Sequence, residues 1–381
     1  MRIVRIVRIA LVVLPALGFS VLAQNAGVKW SREEFHWARI ERQKGQLDWS
    51  FYDKLVATAR RHGISVYGIL SYWSGWTKPY TPEGISDYCR FAAAAAARYR
   101  NDIQHWEVWN EPNIFFWQGP PDMYADLLKQ SYAAIKAASP DAKVLGCSTA
   151  GVDLRFIRRT MELGAPFDVL TIHPYRGTLY DPAFVANLKE AAELVKPRPV
   201  WITEMGWATH VAHNSMDAGF AVTTQRRQAE LLARAYLDAI GSGTVPNMSW
   251  YNFRNDGDDP FNFENNLGIL ARDFSPKPAY RAFAVMTRLL HGKNVAAAVD
   301  LGEGVIAYRF TAGSGDDGVT AIWTLYEDKT VELPGAGTMV LTDLMGDSQF
   351  LKSEKGKVRV DLRQEVPVFL QAGDPRSGAL R

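Results

Sequence analysis

The chain has 381 residues, 47% of them hydrophobic and 12% aromatic, enough to bury one large core and a smaller one beside it. Its 43 lysines and arginines balance 41 aspartates and glutamates, a formal charge of +2, so it lacks the basic excess of a nucleic-acid binder and no nucleic-acid partner is expected. Two cysteines, Cys89 and Cys147, are too few for a disulfide scaffold and read as small core residues.

At the N-terminus, Arg2, Arg5 and Arg8 precede an apolar run from Ile9 to Leu22, and Val21-Leu22-Ala23 has the small-residue pattern of a cleavage site. Residues 1–23 are therefore expected to be a signal peptide cut after Ala23. The apolar run is shorter than the ~20 residues of a spanning helix. The mature chain is thus expected to be secreted or periplasmic, without stable membrane insertion. An uncleaved anchor, or a first strand built on Ile3, Val4, Ile6 and Val7, are the alternatives.

From residue 27 strand and helix signals alternate. GVKWSREEF (27–35) is strand-like, and WSFYDKLVATARRHG (49–63) has helical spacing and a closing glycine. ISVYGIL (64–70) is a strand, 82–100 a helix with an alanine run, 103–110 a strand and 123–139 a helix. AKVLGCS (142–148), FDVLTIH (167–173) and RPVWITE (198–204) are three more strands with helical segments between them. A helix at 224–243, a strand at 247–253 and a helix at 278–292 complete the series.

Such alternation predicts parallel strands joined by crossover helices. Eight units make a TIM (β/α)8 barrel of ~250 residues, and residues 24–292 are expected to form one. Only seven strands are visible, so the first β/α unit is expected to be lacking or degenerate. A misassigned start, a strand inside residues 1–23, or a broken barrel would each account for this. From residue 293 the pattern changes to short alternating runs such as VIAYRFTA, GVTAIWTLY and KVRVDLR between turn residues, predicting a small β-sandwich over 293–375 and a loose tail at 376–381.

In such a barrel the active site lies at the C-terminal ends of the strands. Those ends carry Asn110 and Glu111, Glu204, His173 with Tyr175 beyond it, Arg32 with Trp37 downstream, and Trp250. Two carboxylates on separate strand ends meet the demand of glycosidic bond cleavage, where one donates a proton and the other attacks or activates water. A nearby Arg32 would keep Glu204 ionised.

WNEPN (109–113) and WITEMGW (201–207) resemble the paired motifs of retaining glycoside hydrolases of clan A, and the stretch 250–283 is similar to members near family 39. The resemblance covers residues 27–292 and implies a β-glycosidase. It makes Glu111 the general acid/base and Glu204 the nucleophile. It sets Asn110 on the sugar 2-hydroxyl, His173 and Tyr175 in support of Glu204, and Trp250 as the floor under the sugar. Trp73, Trp117 and Trp207 follow strands and are candidates for stacking on sugar rings. Several aromatic residues on one face predict a groove for a polysaccharide or oligosaccharide, hence endo action. An exo-acting β-xylosidase-like enzyme, or a non-catalytic glycan-binding protein on a degenerate barrel, are the alternatives. No cofactor or metal is expected, since the acidic stretch 255–266 lacks the ordered spacing of a calcium loop. A monomer is expected.

Overall fold

The computed structural model describes residues 17–211, 223–313 and 318–373. Of the expected signal peptide, residues 1–16 lie outside the described residues, as does the expected tail at 376–381. Residues Leu17–Asn25 form helix α1, with Ala23 and Ala26 buried; the expected cut after Ala23 falls within this helix. Tyr280 Oη donates to Leu22 O and Thr287 Oγ1 to Ala26 O, which fastens α1 and its exit to the helix 278–289. No described helix is long and apolar enough to cross a membrane.

The alternation of elements runs as the sequence predicts. Strands β1 (Trp30–His36), β2 (Ser65–Ser71), β3 (His105–Val108), β4 (Lys143–Ala150), β5 (Val169–His173), β6 (Val200–Ile202) and β7 (Asn247–Met248) form one curled sheet. All six pairings are parallel and consecutive, β1 to β7. Near-continuous burial along β2, β4 and β5 fits strands covered on both faces.

The crossovers are helices α2 (Trp37–Ile40) and α3 (Ser50–Arg61), α4 (Pro82–Arg98), α5 (Pro121–Ala138), α6 (Leu154–Glu162), α7 (Asp181–Val195), α8 (Gln225–Gly241) and α9 (Pro278–Leu289). Their ends carry the expected signals. Thr81 accepts from the Gly84 amide at the start of α4, with Pro82 just inside, and Gly63 takes a positive φ of 66° after α3.

After α9 come eight antiparallel strands, two more than the runs in the sequence reveal. β8 (Asn294–Ala298) and β13 (Ser348–Lys352) were hidden because their exposed residues give little alternation. The order is β13-β12-β15-β10-β9-β8 in one sheet, with β9 (Val305–Thr311), β10 (Val319–Thr324), β12 (Thr338–Thr342) and β15 (Val368–Ala372), and a second layer of β11 (Lys329–Pro334) with β14 (Lys357–Leu362). Alternate residues of β9 and β10 face opposite ways. Ala307 and Ile322 meet Val331, Val358 and Val360 of the second layer. Tyr308, Phe310, Ala321 and Trp323 join the core of the barrel unit.

Candidate active site

Each functional side chain leaves the same rim of the sheet. Glu111 follows β3 with its backbone at φ 43°, in the left-handed region where a non-glycine residue is strained; Trp109 sits at 67°. The Glu111 amide donates to Ser148 O at 2.9 Å. Asn113 bridges to both backbone groups of Ala150, at 3.0 and 2.9 Å. The strand therefore turns sharply and is tied to the end of β4, which aims Glu111 across the barrel.

Glu111 and Glu204 face one cleft of about 460 Å³. One carboxylate oxygen of each, and a ring nitrogen of His173, lie within 4.8 Å of one another. His173 Nδ1 stands 2.8 Å from Glu111 Oε1 and 3.7 Å from Glu204 Oε2. Tyr175 Oη donates to Glu204 Oε2 at 3.1 Å. Arg32 extends from β1 to pair with Glu204 through Nη1, and its Nη2 donates to Asn110 Oδ1 at 2.9 Å. That bond occupies the amide oxygen of Asn110 and leaves its N–H₂ as the donor.

A third carboxylate lies beneath. Glu107, fully buried in β3, takes Arg32 Nε at 2.5 Å on Oε2. Its Oε1 accepts from Ser148 Oγ at 3.0 Å and Thr203 Oγ1 at 2.8 Å. Burial disfavours the Glu107 anion, but Arg32 outweighs this and holds its pKa below the ordinary 4.5. Burial likewise disfavours the Arg32 cation, and Glu107 and Glu204 hold it firmly protonated. Burial also works against a charged His173, yet Glu204 and Glu111 together raise it above the ordinary 6.5. Tyr175, half-buried and facing Glu204, is raised well above a free phenol by desolvation and by that carboxylate, and stays protonated as a donor.

The structure brings together Arg32, Asn110, Glu111, His173, Tyr175 and Glu204. It does not bring the tryptophans to them. Trp250 is fully buried against Trp207, with Nε1 on Leu267 O, and Tyr251 lines the cleft in its place. Trp207 donates to Gly177 O and Trp37 stacks on Phe91, both buried. Trp73 and Trp117 pack with Trp109 in a separate aromatic cluster. The substrate contact expected of these five is corrected: their rings pack against the core, and the cleft is lined by Tyr72, Phe115, Phe116, Tyr251 and Phe263.

Glu107, Ser148, Thr203, Glu34 and Glu264 escaped the sequence reading. Glu34 was discoverable, since it stands two residues from Arg32 in a strand and so shares its face. A charged residue inside the apolar β3 was a signal for Glu107. Glu264 comes from a 3₁₀ turn, Glu264–Asn266, which sequence does not place.

Comparison with known proteins bears on what this geometry is. Residues 83–267, which include both glutamates, match the family model described as the glycosyl hydrolase catalytic core. Residues 83–267 carry the match to a glycosyl hydrolase catalytic core. Over 97% of its length it is similar to a solved family 39 glycoside hydrolase from the gut symbiont Bacteroides cellulosilyticus WH2, with 25% identity, 81% of that chain covered and a TM-score of 0.82. The likeness in fold and sequence is thus to a family 39 enzyme. It is 29% identical over 220 residues to a β-xylosidase from Caldicellulosiruptor saccharolyticus, covering 51% of the chain and 43% of the relative. It is 22% identical over 289 residues to endo-1,4-β-xylanase A from Cellvibrio japonicus, covering 60% and 45%. The chain spans less than half the length of these two curated relatives.

Proposed function

We propose that the chain is a retaining β-glycosidase that cleaves within a polysaccharide. The observation that carries this reading is the approach of Glu111 and Glu204, with oxygens within 4.8 Å in one cleft. Retaining sites hold their carboxyl groups about 5–5.5 Å apart, whereas inverting sites need about 6.5–9.5 Å to admit a water between. Glu111, beside His173, donates its proton to the departing oxygen as Glu204 attacks the anomeric carbon and forms a glycosyl-enzyme ester. Glu111 then removes a proton from water, which attacks the same carbon and releases Glu204. Arg32 and Tyr175 keep Glu204 ionised and oriented until it attacks. The Asn110 amide N–H₂ meets the sugar 2-hydroxyl, a contact that strengthens in the transition state.

Endo action is supported by the aromatic lining that extends past the carboxylates, with Phe115 73% exposed on the rim. The similarity to a β-xylosidase favours an exo-acting alternative. Export rests on the arginines and apolar run of the first 23 residues.

The test is reducing-end release from a panel of β-linked polysaccharides, xylan among them, with Glu204→Gln run in parallel and the anomer of the first product followed by NMR. Oligosaccharides released as the β-anomer by the wild type alone support the reading. Initial α-anomer overturns retention. Release of single xylose units, with aryl β-xyloside cleaved, selects the exo alternative. A folded wild type that binds but cleaves nothing is the glycan-binding protein.

A further inference from the structure

The hydrogen bonds around Glu107 have only one consistent direction. Glu107 is an anion, paired with Arg32 through Oε2, so its Oε1 can only accept. Ser148 and Thr203 each own a single hydroxyl proton, and both hydroxyls lie within 3.0 Å of that oxygen. Both protons are therefore committed to Glu107. The same two hydroxyl oxygens stand 3.2 and 3.0 Å from His173 Nε2 and can only accept there. His173 must carry its hydrogen on Nε2. Its Nδ1 then faces Glu111 Oε1 at 2.8 Å. A bare ring nitrogen cannot face a bare carboxylate oxygen at that distance, so a proton lies between them.

We infer that Glu107 is a positioning residue that sets the proton on Glu111, acting through Ser148, Thr203 and His173. Its other oxygen does the complementary task. Through Arg32 it holds the cation that keeps Glu204 ionised. One buried carboxylate thus directs a proton to the Glu111–His173 pair and a cation to Glu204, which is what the two roles require. The inference rests on the reading of Glu111 as the acid. The charged and titratable groups around the Glu111–His173 pair and its cleft are Arg32 and Glu34 from β1, Tyr72 after β2, Glu107 from β3, Tyr175 after β5, Glu204 after β6, Tyr251 after β7 and Glu264 from its 3₁₀ turn. The raised His173 pKa agrees with a proton held in this pair.

Glu107→Gln reverses the relay. The Gln oxygen must stay on Arg32, which has only donors, so its N–H₂ faces the hydroxyls. They then donate to His173 Nε2, the ring hydrogen moves to Nδ1, and Glu111 accepts it as an anion. The measurement is NMR of the full chain with isotope-labelled histidine, the His173 signals assigned by His173→Gln among the seven histidines. The expected result is hydrogen on Nε2 throughout the pH range in the wild type, and a neutral ring with hydrogen on Nδ1 alone in Glu107→Gln. In turnover, the variant loses about 10²-fold or more on a substrate with an alcohol leaving group. Its loss in cleaving the bond of a 2,4-dinitrophenyl β-glycoside, which departs without a proton, is smaller by about tenfold or more.

A neutral His173 with bare Nε2 in the wild type overturns the inference, with no variant needed. So does an unchanged ring in folded Glu107→Gln, or equal losses on both substrates. If Glu107→Gln does not fold, Ser148→Ala with Thr203→Val keeps the Glu107–Arg32 pair and removes both acceptors. Hydrogen must then leave Nε2 for Nδ1 in the neutral ring, and its staying overturns the inference. A wild type that hydrolyses no glycoside, yet shows the expected ring states, retains the proton assignment and rejects the hydrolase.

Discussion

Single side chains in the cleft carry separable amounts of the proposed catalysis. Tyr175→Phe removes one hydrogen bond to an ionised carboxylate, worth about 1.5–3 kcal/mol. Its kcat/KM is expected to fall about tenfold to a hundredfold, with the fold unchanged by circular dichroism. Stability should also follow pH through the same residues. The folded pKa of His173 is raised above 6.5, so its contribution is full below 6.5 and is lost as pH rises through the folded value. Glu107 is lowered below 4.5, so its contribution is present above 4.5 and is lost as pH falls through the folded value. Urea midpoints are expected to be highest between 4.5 and 6.5 and to fall on both sides, with the alkaline fall reduced in His173→Gln. Polar residues at strand ends could be read from the sequence because burial there demands a reason. The tryptophans could not, since the same ring serves core and sugar and only the fold decides which face is covered. Glu107 was obscured because one buried carboxylate is meaningful only beside the Arg32 that the next-but-one strand of the sheet supplies.

At the level of elements, the contact between α7, α8 and the C-terminal sheet is built on buried charge. Asp181 opens α7, pairs with Arg234 of α8 and accepts from Trp323 Nε1 of β10 at 2.5 Å. Arg234, wholly buried, also meets Glu365 at 3.1 Å. Asp181→Ala leaves a buried cation short of its nearest anion, and breaking such a pair costs about 3–5 kcal/mol. Denaturant unfolding of Asp181→Ala is expected to show a loss at the lower end of that range, because Glu365 remains. The parallel strands and their helices were plain in the sequence, as each carries its own period and stop signal. β8 and β13 were not, because an exposed edge strand does not alternate, and β7 shrank to two residues once the chain past Met248 was drawn into the cleft wall.

As a whole molecule, the chain reads as two units by topology but one by packing. The strands change from parallel to antiparallel past residue 293, yet Phe310, Trp323 and Phe369 belong to the core of the barrel unit. Calorimetry is expected to give a single transition with matching calorimetric and van't Hoff enthalpies, and truncation after Gly292 to give an aggregating product. The left-handed backbone at Trp109, Glu111, Cys147 and Ser148 has a further consequence for how such a protein changes over generations. Residues held there cost about 1–3 kcal/mol each, and they cluster just past the end of β3 and in the bulge of the neighbouring β4. Selection for heat resistance would therefore find its easiest gains at the positions that selection for turnover must protect. Stabilised descendants are expected to gain their margin elsewhere, in the outer helices and the far β-layer.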